Sequence, residues 1–165
     1  MKPNRLSLSF AALVSLLLLS CASRDGECHE ELKTAVGCEL YATAYDPLEE
    51  TYRPNKLSAA ITAYGLGSDS LLYDNTMTNK LALPLNSFDT ISRFVISRDS
   101  LGNDTLEVVY SVINKVISLE CGCKSEFEIR SFGHTTNMID SITMLENKVV
   151  DLNASHLRIY FSPQQ

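Results

Sequence analysis

Apolar and polar positions alternate with a period of two along most of this chain. Leu106, Val108, Tyr110 and Val112 alternate with Thr105, Glu107, Val109 and Ser111. Phe127 and Ile129 alternate with Glu126, Glu128 and Arg130. Leu157, Ile159 and Phe161 alternate with His156, Arg158 and Tyr160, which puts His156 on a wet face. Each run reads as a strand with one buried and one solvated face. Further strands are predicted at 39–45, 58–65, 71–74, 80–86, 91–98, 114–120, 139–145 and 147–151. Turn residues separate them, as at Gly67-Ser68-Asp69 and Leu101-Gly102-Asn103-Asp104. Pro84 lacks an N–H, so its strand is expected at an edge or a bulge. The stretch 46–56, with Pro47 and Pro54, reads as an exposed loop, and 22–37 as a tether with one helical turn at HEELKTAV. Strands at this spacing without helices between them predict an all-β fold. The expected form is an antiparallel β-sandwich, or a small open barrel, of about 7–10 strands over residues 38–165.

The N-terminus breaks the pattern. Lys2 and Arg5 precede a 15-residue apolar run at 6–20, too short to span a bilayer and of the length of a signal-peptide core. The run ends in Leu18-Leu19-Ser20-Cys21, which resembles the bacterial lipobox. By that resemblance residues 1–20 are a signal peptide and Cys21 becomes the acylated first residue, carrying palmitate-type chains. The stretch 21–37 is then a lipidated tether. Several acyl chains anchor stably where one does not. Ala22 in place of Asp favours, by analogy with lipoprotein sorting, the outer membrane; the leaflet is left open.

Composition narrows the partners. The 165 residues suit one domain, and 14 Lys and Arg against 20 Asp and Glu give a net charge of −6. Residues 21–165 alone carry −8. Such a charge repels phosphate, so no nucleic acid is expected.

Cys21 aside, four cysteines remain: Cys28, Cys38, Cys121 and Cys123. In an oxidising envelope compartment two disulfides are expected. A Cys121–Cys123 bridge would close a strained ring. The 28/38 pair is therefore expected to join the 121/123 pair, in either connectivity, closing loops worth about 4–5 kcal/mol in the chain-entropy model. C-x-C is a poor zinc knuckle, so neither metal nor other cofactor is expected.

Catalytic signatures are missing: there is no HExxH, GxSxG, P-loop or GxGxxG. His29 falls in the tether and His134 in a polar turn. Asp99 to Asp104 superficially resembles a calcium loop without its acid spacing and reads as a hairpin turn. Seven tyrosines and no Trp offer platforms for a glycan, Tyr160 among them. Asp followed by Ser or Thr and an apolar residue occurs at five of nine Asp, where composition gives about one. The hydroxyls are Ser70, Thr90, Ser100, Thr105 and Ser141. The tripeptide resembles the O-glycosylation signal of exported Bacteroidota proteins. It also marks turns running into strands.

One resemblance covers nearly the whole mature chain. The paired N-terminal cysteines, AYGLGSDSLLYDN at 63–75, LALPLN at 81–86, DTLEVVY at 104–110, ECGC at 120–123, IDSITMLENKVV at 139–150 and HLRIYF at 156–161 carry it. The chain resembles an uncharacterised family of small β-rich outer-membrane lipoproteins from Bacteroidota. The resemblance implies fold and address and assigns no activity. The expectation is a non-enzymatic accessory or interaction module held at the membrane by lipid, contacting an outer-membrane β-barrel or an envelope assembly protein. The alternative is a surface lipoprotein that binds glycan or calcium.

Overall fold

The computed structural model describes residues 28, 32–46, 48–98, 102–119 and 121–162. The apolar run at 6–20, Cys21, His29 and Ser100 lie outside them. Eleven strands are formed, and no helix occurs among the described residues.

They are β1 (Val36–Asp46), β2 (Thr51–Lys56), β3 (Ala59–Gly65), β4 (Leu71–Thr78), β5 (Lys80–Leu83) and β6 (Ile91–Arg98). There follow β7 (Asn103–Ser118), β8 (Gly122–His134), β9 (Ile139–Met144), β10 (Lys148–Val149) and β11 (Leu157–Phe161). One sheet runs β2-β1-β11-β9, with β5 also on β1; the other runs β10-β8-β7-β6-β3-β4. Residues 36–39 of β1 pair with β5 and residues 41–46 with β2, so these two short strands lie end to end along one side of β1.

The alternation works where expected. Leu40, Leu81, Leu157, Ile159 and Phe161 from the first sheet close on Ile61, Ile96, Leu106, Val108, Tyr110, Phe127 and Ile129 from the second. The result is a β-sandwich with one apolar core and no closed barrel. Tyr110 meets Phe127 edge-on at 5.3 Å between ring centroids.

Four local expectations are corrected. The 46–56 loop contains β2, whose edge position leaves Pro54 without a ladder bond to break. Of the stretch 29–36 expected to hold a helical turn, the described residues 32–35 are irregular and Val36 opens β1, with Ala35 already buried. The sandwich is not purely antiparallel, because β11 runs parallel to β1. The two runs at 105–112 and 114–120 are one 16-residue strand, since nothing between them turns the chain.

Candidate functional site

Asp104 shows how the polar groups are used. It sits in the inward phase of β7, on the same side as Leu106, and is 1% exposed. Its carboxylate accepts the N–H groups of Asn137 (2.9 Å), Met138 (2.7 Å) and Ile139 (2.7 Å), and the Thr135 hydroxyl. The Thr135 hydroxyl oxygen in turn accepts the Thr105 N–H at 2.9 Å. These residues form the crossover that carries the chain from β8 in one sheet to β9 in the other. Burial raises the Asp104 pKa, but the Thr135 hydroxyl and the three amides outweigh it, and the net shift is downward. A carboxylate ringed by donors cannot serve a cation, so Asp104 is not a calcium ligand.

His156 is the second inward polar group, and its expected place on a wet face is corrected. It precedes β11, where strand alternation does not yet apply, and it is fully buried. Its Nδ1 accepts the Gly37 N–H at 2.9 Å, and the His156 backbone N–H donates to the Gly37 carbonyl at 2.8 Å. Nδ1 therefore has no proton, and the ring is neutral with its hydrogen on Nε2 facing the Lys148 backbone. Burial lowers the His156 pKa; the Lys148 backbone, Asp151 and Glu146 oppose this without reversing it. Gly37 is required there: a Cβ would strike the Ala154 carbonyl oxygen. His134, expected in a polar turn, is instead the half-buried last residue of β8, paired with Leu106, with Nδ1 against the Thr135 carbonyl at 2.8 Å.

The cysteines divide differently from the expectation of two bridges. Cys28 and Cys121 are joined, as one of the 28/38-to-121/123 pairings requires. Cys38 and Cys123 are free thiols. Cys38 lies between Val36 and Leu40 on the inward face of β1, and burial pushes its thiol up to about 12 against a small opposing pull from Lys80. Cys123 sits exposed opposite Val116 on the far part of β8. One thiol is sealed in the core and the other faces solvent, so they cannot meet.

Beyond the sandwich the β7–β8 hairpin continues alone. β6 pairs with β7 only as far as Val109, and β10 pairs with β8 only at Phe127 and Glu128. From Ile113 outward neither edge of the hairpin is covered by another described strand. Val116 is 77% exposed and Leu119 is 99% exposed, with Ile113 and Ile117 exposed beside them. Lys115 faces Lys124 across the ladder, and Lys115 also pairs with Glu126 at 2.6 Å. Two N-terminal residues touch this arm: the Thr34 hydroxyl donates to the Ser125 carbonyl at 2.9 Å, and Cys28 is bonded to Cys121 at the turn. Gly122 closes that turn with a φ of 73°.

A second surface lies on the outside of the first sheet. Tyr41 of β1 and Tyr160 of β11 are paired in register, with ring centroids 5.7 Å apart. The Arg158 guanidinium lies 4.6 Å from the Tyr41 ring centre and 3.3 Å from Glu39 Oε2. Ser155 donates to the other Glu39 oxygen at 3.0 Å. Burial raises the Glu39 pKa, and Ser155, Arg158 and Lys56 together bring it below the ordinary value. Period-two alternation placed Tyr160 and Arg158 outward, but only the parallel β1–β11 register brings Tyr41 beside them.

Among the candidate glycan acceptors, Ser70, Thr90 and Ser141 are exposed, and Thr105 is half-buried on the outward phase of β7. Ser100 lies outside the described residues. No group of three His, Cys, Asp or Glu side chains that could hold a metal is found among the described residues.

Residues 60–161 match the model of a family of unknown function, DUF6452. The chain belongs to that family. The matched region runs from the start of β3 to the end of β11. It takes in Asp104, the hairpin arm and Cys121, and leaves out β1, β2 and Cys28. No curated protein and no solved structure matches the chain.

Proposed function

We propose that this DUF6452 chain is a lipid-anchored outer-membrane lipoprotein of Bacteroidota type that works by interaction rather than catalysis, beside an outer-membrane β-barrel or an envelope assembly protein. The observation that carries the reading is the Cys28–Cys121 bridge. A disulfide fits an oxidising envelope compartment, and this one ties the folded domain to a point seven residues after Cys21. The apolar run at 6–20 ending in Leu18-Leu19-Ser20-Cys21 supplies the anchor.

The acid–base groups support an interaction role. Strongly shifted groups in a cleft are the usual mark of a catalytic site. Here Asp104 and His156 are spent on backbone amides, and so are Glu146 (Asn147 and Lys148 N–H) and Asp151 (Asn153 and Ala154 N–H). They hold loops. The test is acyl labelling and proximity crosslinking in the native host. Wild type is expected to take up label and to crosslink to envelope proteins. Cys21→Ala should lose both, and label that persists in Cys21→Ala refutes the anchor.

A second reading, glycan binding, is favoured by the Tyr41–Arg158–Tyr160 cluster. Two half-exposed rings with a guanidinium and a carboxylate beside them can stack on a sugar and bond its hydroxyls. A glycan array probed with wild type and with Tyr160→Ala decides it: binding that Tyr160→Ala abolishes supports this reading, and an array blank for both discards it.

A further inference from the structure

The hairpin arm and the anchor segment meet at one point. Seven residues separate Cys21 from Cys28, a reach of at most about 25 Å. Cys28 is bonded to Cys121, two residues past Leu119. A lipid on Cys21 would therefore lie within that reach of the arm's tip. The tip carries Val116, Ile117 and Leu119 in the open, Glu120 follows Leu119 in the sequence, and Lys115 and Lys124 lie opposite each other just behind, Lys115 in an ion pair with Glu126. Measured from Ile113 to Leu119 the arm projects about 20 Å, at roughly 3.3 Å per strand residue. Exposed apolar side chains flanked by charged ones, within reach of a lipid, are the chemistry of a segment that enters the headgroup layer of a bilayer, with the charged groups left at the level of the headgroups.

We propose that the tip of the β7–β8 hairpin inserts into the interfacial layer of the membrane that holds the anchor, so that lipid and hairpin fix the domain at two points. The inference rests on the lipid-anchored reading. Two attachments constrain orientation where one leaves the domain free to swivel. With the tip down, the β1–β2 turn stands away from the membrane, because Thr34, just before β1, lies at Ser125 on the arm and β1 runs away from it.

The chain has no Trp, which makes the test direct. Leu119→Trp places one indole at the tip, and Leu48→Trp places one at the opposite end, where Leu48 is 93% exposed. The full chain is produced in an acylating host and reconstituted into phosphatidylethanolamine–phosphatidylglycerol vesicles with brominated acyl chains. The proposal expects Leu119→Trp emission to shift blue and to be quenched, and Leu48→Trp to stay red and unquenched. Protein that floats with the vesicles while Leu119→Trp stays unquenched keeps the anchor and overturns the insertion. If acyl label is absent and the protein does not float, the anchor reading fails. The insertion is then read by titrating excess vesicles: a blue shift sustains it, and none overturns it. Changing Val116, Ile117 and Leu119 together to Ser should weaken vesicle binding of unacylated protein at least tenfold, since each apolar side chain buried is worth about that factor or more. A concentration-dependent dimer that the triple Ser variant abolishes, with Leu119→Trp silent to brominated lipid, gives the patch to a second copy and overturns the proposal.

Discussion

Removing the Asp104 carboxylate should cost more stability than any surface change on this molecule. Asp104→Ala leaves the buried N–H groups of Met138 and Ile139 without their acceptor, and the Asn137 N–H half-buried without one. An unpaired buried donor costs about 1–3 kcal/mol, so two of them together cost about 2–6 kcal/mol. Asp104→Asn keeps the shape and one oxygen but turns an amide nitrogen toward the donors, and about 2–4 kcal/mol is expected. Thr135→Val loses one hydroxyl contact and should cost about 1 kcal/mol. A domain of this size is stable by about 5–15 kcal/mol, so the Ala variant loses a large part of the total.

The measurement is urea unfolding of the three variants at pH 7 and at steps down to pH 3.5, with m-values compared to check two-state behaviour. The pH series carries the argument. The folded pKa of Asp104 lies below the ordinary value, so the stabilisation is complete above the unfolded pKa of about 3.9 and fades as pH falls through the folded one. The gap between wild type and Asp104→Asn should hold from pH 7 to about 4 and narrow below it. A loss under about 1 kcal/mol for Asp104→Asn at pH 7 would refute the reasoning, as would a gap of constant size at every pH.

His156 should lower stability in a different window. Its folded pKa is depressed by burial, so the unfolded chain takes up the extra proton as pH drops through about 6.5, and stability falls there. His156→Asn keeps an acceptor for the Gly37 N–H and should flatten that slope in urea melts between pH 7.5 and 5. Gly37→Ala should destabilise by about 2–4 kcal/mol or leave the chain insoluble, because its methyl meets backbone rather than a movable side chain; thermal unfolding reads this. Loss of the bridge through Cys28→Ser with Cys121→Ser should cost up to about 4–5 kcal/mol by loop entropy, and hydrogen exchange should rise first in residues 113–126, which that bridge ties to the N-terminal segment. With the bridge intact, a thiol reagent should label Cys123 at once and Cys38 only on unfolding.

The two sheets were legible because burying one face of a strand imposes a two-residue period that survives in the residues themselves. Leu106 to Val112 and Leu157 to Phe161 give both the strand and its inward side. What the period cannot carry is anything set by neighbours distant in the chain. Pro54 marks a loop by composition, yet pairing with β1 makes its segment a strand, because an edge asks no N–H of it. Cysteine parity argued for a second bridge, although Val36-Cys38-Leu40 already alternates as a buried strand; there the local pattern was the better guide, since a thiol committed to the core is out of reach of a partner in solvent.

The polar groups show the same division more sharply. Asp104 follows Gly102-Asn103 and reads as turn chemistry, yet Asn103 already opens β7. The Asp104 side chain belongs to the crossover at 135–139, about thirty residues on, and nothing near Asp104 announces those amides. His156 likewise depends on Gly37, which β11 reaches only by lying parallel to β1. In a sandwich whose loops pass between sheets, the backbone donors and acceptors freed at each crossing must be met by side chains, because water is excluded there. Asp104 and His156 are used in this way. The exposed hairpin tip and the outer Tyr41–Arg158–Tyr160 face are two surfaces outside these crossings. They lie on different elements, the tip on the projecting end of β7–β8 and the aromatic face on β1 and β11. The proposed membrane contact at the first would therefore leave the second open to the proposed glycan, and the two proposals can be tested independently.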